Sequence, residues 1–256
     1  MQKILLAFLF IFATLAVASA QGISTNYKLH SHNDYLQTVP FWEAYANGME
    51  SIEADILLMD DELYVAHERE SIVANRTLAS LYLDPIRKAF ELKLGTENTF
   101  QLLIDIKTEP YATMKKLEEV LASYEDILSA KNHPAKVQVV ISGNRPQPGE
   151  YDNYPEYIQF DYQSVTEISD LPLNKIALIS LNFRKYSTWD GKGAMDALEL
   201  EKIKKTIAVV KTLEKPIRFW ATPDTPTAWK ILTELGVDFI NTDQPYKARS
   251  YFIGSK

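Results

Sequence analysis

The chain has 256 residues, of which 46% are apolar and 24% are charged, a composition typical of one large folded domain or two small ones. Its formal net charge is −7 and it contains no basic cluster, which argues against nucleic acid as a partner. It contains no cysteine, which excludes disulfide bonds and a thiolate nucleophile.

The amino terminus has the pattern of a secretory signal peptide. Lys3 precedes an uncharged run, 4–20, that ends in the small residues Ala18-Ser19-Ala20. This run is too short and wrongly flanked for a membrane-spanning helix. We therefore predict cleavage after Ala20, a domain comprising residues 21–256, and a secreted or bacterial periplasmic location. No long amphipathic segment follows, so we expect no stable membrane insertion; the oligomeric state is left open.

Short apolar segments alternate with amphipathic ones along the rest of the chain. Strands are predicted at 27–30, 51–58, 100–107, 136–141, 158–161, 175–181, 216–221 and 237–242, with a short extended return at 62–66. Helices are predicted at 40–48, 77–94, 114–128, 198–213 and 227–235. This alternation predicts parallel strands, and eight units fit a single (β/α)8 TIM barrel of the α/β class. A doubly wound open sheet is the alternative, although no glycine-rich phosphate loop follows the first strand.

Histidines and carboxylates cluster around the first two predicted strands. His30 ends the first strand, and His67 ends the extended return. Glu53 and Asp55 are two residues apart in the second strand, so their side chains should share one face. Carboxylate oxygens of this kind suit one divalent cation, Mg²⁺ or Ca²⁺. Two histidines beside such a site suggest a general acid and a general base.

Charged residues also interrupt the third strand. Asp105 and Lys107 follow a nearly continuous apolar run, and burying them without partners would be costly. We therefore expect them to pair, for example with a metal and a phosphate.

Four further residues are candidates for contacts with the substrate. His32 either orients His30 or belongs simply to the loop, and Asn33 is a candidate for a metal or phosphate contact. Arg145 follows the fourth strand and could clamp a phosphate, although a loop arginine can equally be solvated. Trp220 is interpreted either as a pocket wall or as a core residue.

The order of these motifs resembles a known superfamily. A histidine is followed by Glu53-x-Asp55 after a helix that ends at Gly48, then by a Val-x-His segment, and then by Asp105-x-Lys107. The carboxyl-terminal part adds Phe-Trp and Asn-Thr-Asp-Gln-Pro segments. This order resembles the superfamily of glycerophosphodiester phosphodiesterases and phosphatidylinositol-phospholipase-C-like enzymes, which are TIM barrels. The start at 30–33 is also similar to the sphingomyelinase-D-like branch.

The resemblance implies a mechanism. His30 and His67 would be the acid–base pair, the carboxylates Glu53, Asp55 and Asp105 would bind the cation, and a lysine at the position of Lys107 would lie near the phosphate. A hydroxyl of the substrate or a water molecule would attack a phosphodiester in a small molecule or a lipid head group. The alternative is a catalytically silent barrel that binds a phosphorylated polyol or a lipid head group.

Overall fold

The computed structural model describes residues 27–95, 99–130, 137–166, 168 and 170–254. The proposed signal peptide, 1–20, lies outside the described residues, so its cleavage remains a prediction. In the described part of the chain, no helix combines the length and the apolar composition that crossing a membrane requires.

The strands form a closed barrel, as predicted. Within the described residues they are β1 (Lys28–Ser31), β2 (Ser51–Met59), β3 (Glu62–Val65), β4 (Phe100–Ile106), β5 (Val137–Gly143), β6 (Ile158–Tyr162), β7 (Ile176–Asn182), β8 (Ile217–Trp220) and β9 (Phe239–Thr242). All except β3 pair in parallel, and the pairing of β1 with both β2 and β9 closes the ring. The TIM-barrel prediction is therefore confirmed, and the open sheet is excluded.

Strand β3 has a separate role because it lies outside the ring. It pairs antiparallel with the distal half of β2, with Ile56 opposite Val65. The connecting residues Asp60 and Asp61 both have positive φ angles, 48° and 61°, as a tight hairpin turn requires. The hairpin brings His67 back toward the carboxyl end of β2.

Helices cover the outside of the barrel. They are α1 (Trp42–Ala46), α2 (Asp84–Glu91), α3 (Pro110–Leu121), α4 (Ala197–Thr212), α5 (Pro226–Glu234) and α6 (Pro245–Gly254). The predicted helix at 77–94 is divided into a π-helical turn, Ala79–Leu83, and α2, with Pro85 in the first turn of α2. Helix α3 begins four residues earlier than predicted because the Glu109 side chain accepts hydrogen bonds from the Tyr111 and Ala112 amides. Helix α6 was not predicted.

The two faces of β2 show how the barrel positions its polar residues. Ile52, Ala54 and Ile56 are fully buried in the layer between strands and helices. Each of the two isoleucine side chains contributes about 1.5–3 kcal/mol through burial. Glu53 and Asp55 alternate with them and point to the barrel interior. The apolar layer therefore fixes the direction of the acidic side chains.

Candidate active site

An acidic cluster lies at the carboxyl end of the barrel, where strands β2 and β4 are adjacent. Asp55 and Asp105 are direct cross-strand neighbours. Oxygen atoms of Glu53, Asp55 and Asp105 lie within 4.8 Å of one another. Among the described residues, Asp55 Oδ1 is buried without a hydrogen-bond partner. Three clustered carboxylates with a buried, unpartnered oxygen fit a hard divalent cation.

Lys107 and Arg218 offset part of this negative charge. Lys107 Nζ lies 3.1 Å from Asp55 Oδ2 and 3.2 Å from Asp105 Oδ1. Arg218 Nη1 donates to Glu53 Oε2 at 2.7 Å. Burial raises the pKa of Asp105 to about 6, although the nearby Lys107 charge opposes this shift. Burial by itself would raise the pKa of Glu53, but the Arg218 charge, the hydrogen bond with His30 and the nearby His32 together hold it well below its usual range.

Glycine is required at position 143, at the end of β5. The residue has φ = +69°, and a Cβ atom there would lie 1.9 Å from Asp105 Oδ1. Only a residue without a side chain lets Asp105 approach the β5 backbone in this way. Gly143 therefore shapes the acidic cluster without contributing a side chain.

The structure distinguishes between the first two histidines. His30 is fully buried, with Nδ1 2.7 Å from Ser51 Oγ and Nε2 2.8 Å from Glu53 Oε2. Arg218 also contacts His30 Nε2. Burial, together with the Arg218 charge, lowers the pKa of His30 to about 3. His30 is therefore a neutral residue that lies behind Glu53.

His32 lies nearer to solvent and is held by a carboxylate. Its side chain is 25% exposed, and Nδ1 is 2.7 Å from Asp243 Oδ1. Nε2 lies on the other side of the ring, 3.9 Å from Glu53 Oε1. Burial alone would lower the pKa of His32, but the hydrogen bond to Asp243 and the negative charge of Glu53 raise it. This arrangement favours a protonated imidazole.

His67 has a matching arrangement on the opposite side of the acidic cluster. Its side chain is 65% exposed, and Nδ1 is 2.7 Å from Asp55 Oδ2. A carboxylate oxygen can only accept a hydrogen bond, so Nδ1 carries the proton and Nε2 can act as an acceptor. The Tyr35 hydroxyl also donates to Asp55 Oδ2, at 2.9 Å, which fixes the carboxylate that orients His67.

His32, His67 and two of the three carboxylates line one depression with a volume of about 630 Å³, which we call the catalytic pocket. Its described lining consists of His32, Asn33, Glu53, His67, Asp105, Ile106, Lys107, Gly143, Asn144, Gln163, Arg218, Trp220 and Ala221. Among the described residues, this lining includes His32 but not His30.

The remaining predicted residues occupy different positions. Trp220 forms a wall of the catalytic pocket, and Asn33 lines its rim with a left-handed backbone, φ = 48°. The Asn33 Oδ1 atom accepts a hydrogen bond from the Tyr35 hydroxyl at 3.0 Å. Arg145 instead donates to the Tyr151 hydroxyl at 3.1 Å and to the Gly143 carbonyl at 2.9 Å. Its guanidinium thus supports the loop after β5.

Sequence reasoning did not single out Arg218 as a site residue. It is a charged residue in the short apolar strand β8, the same signal that identified Asp105 and Lys107. Asp243, the partner of His32, lies 211 residues from it in sequence. A local pattern carries no information about such a pairing.

Comparisons with known proteins support the phosphodiesterase resemblance. Residues 20–98 match the model of an AIM6-like phosphodiesterase domain, and residues 216–246 match the glycerophosphoryl diester phosphodiesterase family. A protein of Arthroderma benhamiae named altered inheritance of mitochondria protein 6 homolog is 26% identical, over 88% of this chain and 83% of its own length. The Lachancea thermotolerans protein of that name is 25% identical, over 84% of this chain and 63% of its own length.

Solved structures show the same fold. A glycerophosphodiester phosphodiesterase from Parabacteroides distasonis aligns with a TM-score of 0.58 and 16% identity, over 90% of this chain and 99% of that one. A phosphodiesterase from Oleispira antarctica, in complex with the product sn-glycerol-3-phosphate, aligns with a TM-score of 0.56 and 12% identity, over 88% and 96% of the two chains. The predicted resemblance to the glycerophosphodiester phosphodiesterase and phospholipase-C-like superfamily is confirmed.

The predicted secreted or bacterial periplasmic location is wrong. The two sequence relatives described above, which align over 88% and 84% of this chain, are fungal proteins named for altered inheritance of mitochondria, not bacterial envelope proteins. An apolar amino-terminal run with small residues at its end does not by itself define a compartment, because the same composition occurs in segments with different destinations.

Proposed function

Because the chain resembles the glycerophosphodiester phosphodiesterase superfamily, we propose that it is a metal-dependent phosphodiesterase in which His32 and His67 are the acid–base pair. One observation carries this proposal. His32 and His67 line the same pocket, and each has its Nδ1 atom held by a carboxylate, at 2.7 Å in both cases. A carboxylate on Nδ1 orients the ring and leaves Nε2 for proton transfer.

The protonation states give each histidine a role. The pKa of His32 is raised, chiefly by the Asp243 hydrogen bond acting against burial, so His32 holds a proton for the leaving oxygen. His67 carries a proton on Nδ1 and accepts one at Nε2, so it activates the attacking hydroxyl or water. His30 is a positioning residue, since it contacts Glu53 and Arg218 from inside the barrel.

The charges of the pocket match a phosphodiester. The three carboxylates carry three negative charges, and Lys107 and Arg218 carry two positive charges, so the net charge of these groups is −1. A bound divalent cation would change it to +1. A phosphodiester carries one negative charge. Glu53, Asp55 and Asp105 would hold the cation, which when bound would stabilise negative charge on the phosphoryl oxygens. Lys107 would contact the same oxygens.

The test is hydrolysis of bis(p-nitrophenyl) phosphate and glycerophosphodiesters, with EDTA and after restoring Mg²⁺ or Ca²⁺. His32→Ala and His67→Ala should each lower kcat/KM by about 10²–10⁴-fold. His133→Ala, which changes the fourth histidine of the chain, is the control and should retain activity.

A His30→Ala variant separates the two assignments of the acid–base pair. We expect it to lower stability and to retain more kcat than His32→Ala in protein that remains folded. A lower kcat for His30→Ala than for His32→Ala would instead assign the acid or base role to His30. Cation binding without turnover of any diester would instead favour a barrel that only binds phosphorylated polyols or lipid head groups.

A further inference from the structure

A second depression opens beside the catalytic pocket and shares two residues with it. This depression, called the apolar groove, has a volume of about 540 Å³ and includes Asn33 and His67 in its lining. A substrate half that extends from the phosphate on the His67 side can therefore enter the groove. The opposite side of the catalytic pocket is formed by Asn144, Gln163 and Trp220.

The lining of the groove presents carbon atoms to the solvent. Val65 and Ala66 are buried beneath it, whereas Leu36 is 72% exposed and Val73 is 54% exposed at its sides. Covering apolar side chains of this size with an apolar ligand group lowers the free energy of the complex. Their position beside a reactive histidine makes an apolar part of the substrate the natural occupant.

Two polar residues of the groove, Arg76 and Gln37, each direct a donor to a backbone carbonyl, and the hydroxyl of a third, Tyr35, donates to the side chains of Asn33 and Asp55. Arg76 Nη2 donates to the Tyr35 carbonyl at 2.5 Å, and Gln37 Nε2 donates to the Asp243 carbonyl at 2.9 Å. These donors are thereby engaged by the protein itself. The groove thus resembles a channel for a hydrocarbon chain more than a site for a sugar or a second phosphate.

From this continuity we propose that the substrate is a single-chain phosphodiester lipid whose acyl chain lies in the apolar groove. Its head group would lie toward Trp220. The proposal rests on the proposed phosphodiesterase function and names its substrate class. A deacylated glycerophosphodiester would fill the catalytic pocket alone and leave Leu36 and Val73 exposed.

The first test compares lysophosphatidylcholine with glycerophosphocholine, which share a head group and a phosphodiester and differ in the acyl chain. The full-length protein is used with short-chain lysolipids below their critical micelle concentrations. We expect kcat/KM to rise with chain length by roughly fourfold per methylene until the groove is filled. Equal or better hydrolysis of glycerophosphocholine would overturn the proposal, and so would hydrolysis of bis(p-nitrophenyl) phosphate alone.

The second test places a charge in the groove. Leu36→Asp should lower kcat/KM for an octanoyl lysolipid by about tenfold or more. Its effect on hydrolysis of bis(p-nitrophenyl) phosphate, which carries no acyl chain, should be smaller than its effect on the lysolipid. Leu198→Asp is the matched control: Leu198 is 81% exposed on the first turn of α4 and is not among the described residues that line either depression.

A binding measurement separates failure of this proposal from failure of the proposed function. With EDTA present, calorimetric titration should show tighter binding of lysolipids with longer chains, and Leu36→Asp should abolish that dependence. Binding that depends on chain length, without turnover, would support acyl-chain binding in the groove and contradict the phosphodiesterase function. Turnover that does not depend on chain length would support the phosphodiesterase function and contradict acyl-chain binding in the groove. An effect of Leu36→Asp confined to binding of phosphatidylcholine vesicles would assign these side chains to a membrane surface and overturn the proposal.

Discussion

Arg218 illustrates how much of the site depends on a single residue. Its side chain is almost fully buried and contacts Glu53 and His30, so it holds together the two residues that support the pocket from below. Arg218 Nε is buried without a partner among the described residues. A buried guanidinium in this position is retained only because the carboxylate beside it offsets the cost of removing both charges from water.

We predict that Arg218→Gln lowers the free energy of unfolding by about 3–5 kcal/mol, because it removes the guanidinium that pairs with the buried Glu53 carboxylate. Urea denaturation of the purified variant would measure this loss. The control is Arg87→Gln, which removes the solvent-accessible pair between Arg87 and Asp126 and should cost about 0–1 kcal/mol. Equal losses in the two variants would contradict the structural role assigned to Arg218.

At the scale of elements, Asp34 ties the loop after β1 to its surroundings. Its carboxylate accepts hydrogen bonds from the Ser31 hydroxyl at 2.9 Å, the Phe41 amide at 2.6 Å and the Tyr82 hydroxyl at 3.1 Å. These bonds connect the end of β1, the start of α1 and the π-helical turn Ala79–Leu83. The loop that carries His32 and Asn33 is thereby held against the barrel.

Burial raises the pKa of Asp34 to about 6, despite the hydrogen bonds that favour the carboxylate. The folded state therefore binds this proton more tightly than the unfolded state. Protonation of Asp34 stabilises the folded state fully below about pH 4. This stabilisation, up to about 3 kcal/mol, is lost as the pH rises through about 6.

The measurement is urea denaturation of the wild type and Asp34→Asn between pH 4 and pH 7. As the pH rises through this window, the free energy of unfolding of the wild type should fall relative to that of Asp34→Asn, because the amide does not titrate. A difference independent of pH would show that Asp34 is charged in both states.

At the scale of the whole molecule, the barrel brings acidic residues from separate strands to one end of an already acidic protein. The chain has a net charge of −7, and the cluster of Glu53, Asp55 and Asp105 concentrates negative charge at the carboxyl end of the barrel. A cation that binds only this assembled cluster must stabilise the folded state, because the unfolded chain holds the carboxylates apart.

We therefore expect Mg²⁺ or Ca²⁺, at about 100 times its dissociation constant, to raise Tm by roughly 5–10 °C. Asp55→Asn should abolish the shift, whereas Asp126→Asn, which changes an exposed carboxylate elsewhere, should retain it. Differential scanning calorimetry with EDTA as the reference would measure both. A full shift in Asp55→Asn would place the cation elsewhere.

The amino-acid sequence by itself determined the barrel and the acidic half of the site. Apolar periodicity is a local property, so the positions of the strands and the shared direction of Glu53 and Asp55 could be predicted within a residue or two. Helix α6 could not, because its residues show little amphipathic pattern and its position depends on packing against α1, α5 and β1.

Only the tertiary structure decided which histidine faces the pocket. His30 is buried within β1, whereas His32 follows the last residue of that strand, Ser31, and lies at a height nearer to solvent. That height depends on how β1 aligns with β2 and β9, and the same closure brings in Asp243 and Arg218 from the other end of the chain. Contacts between residues about 200 positions apart arise from barrel closure, which no local pattern encodes.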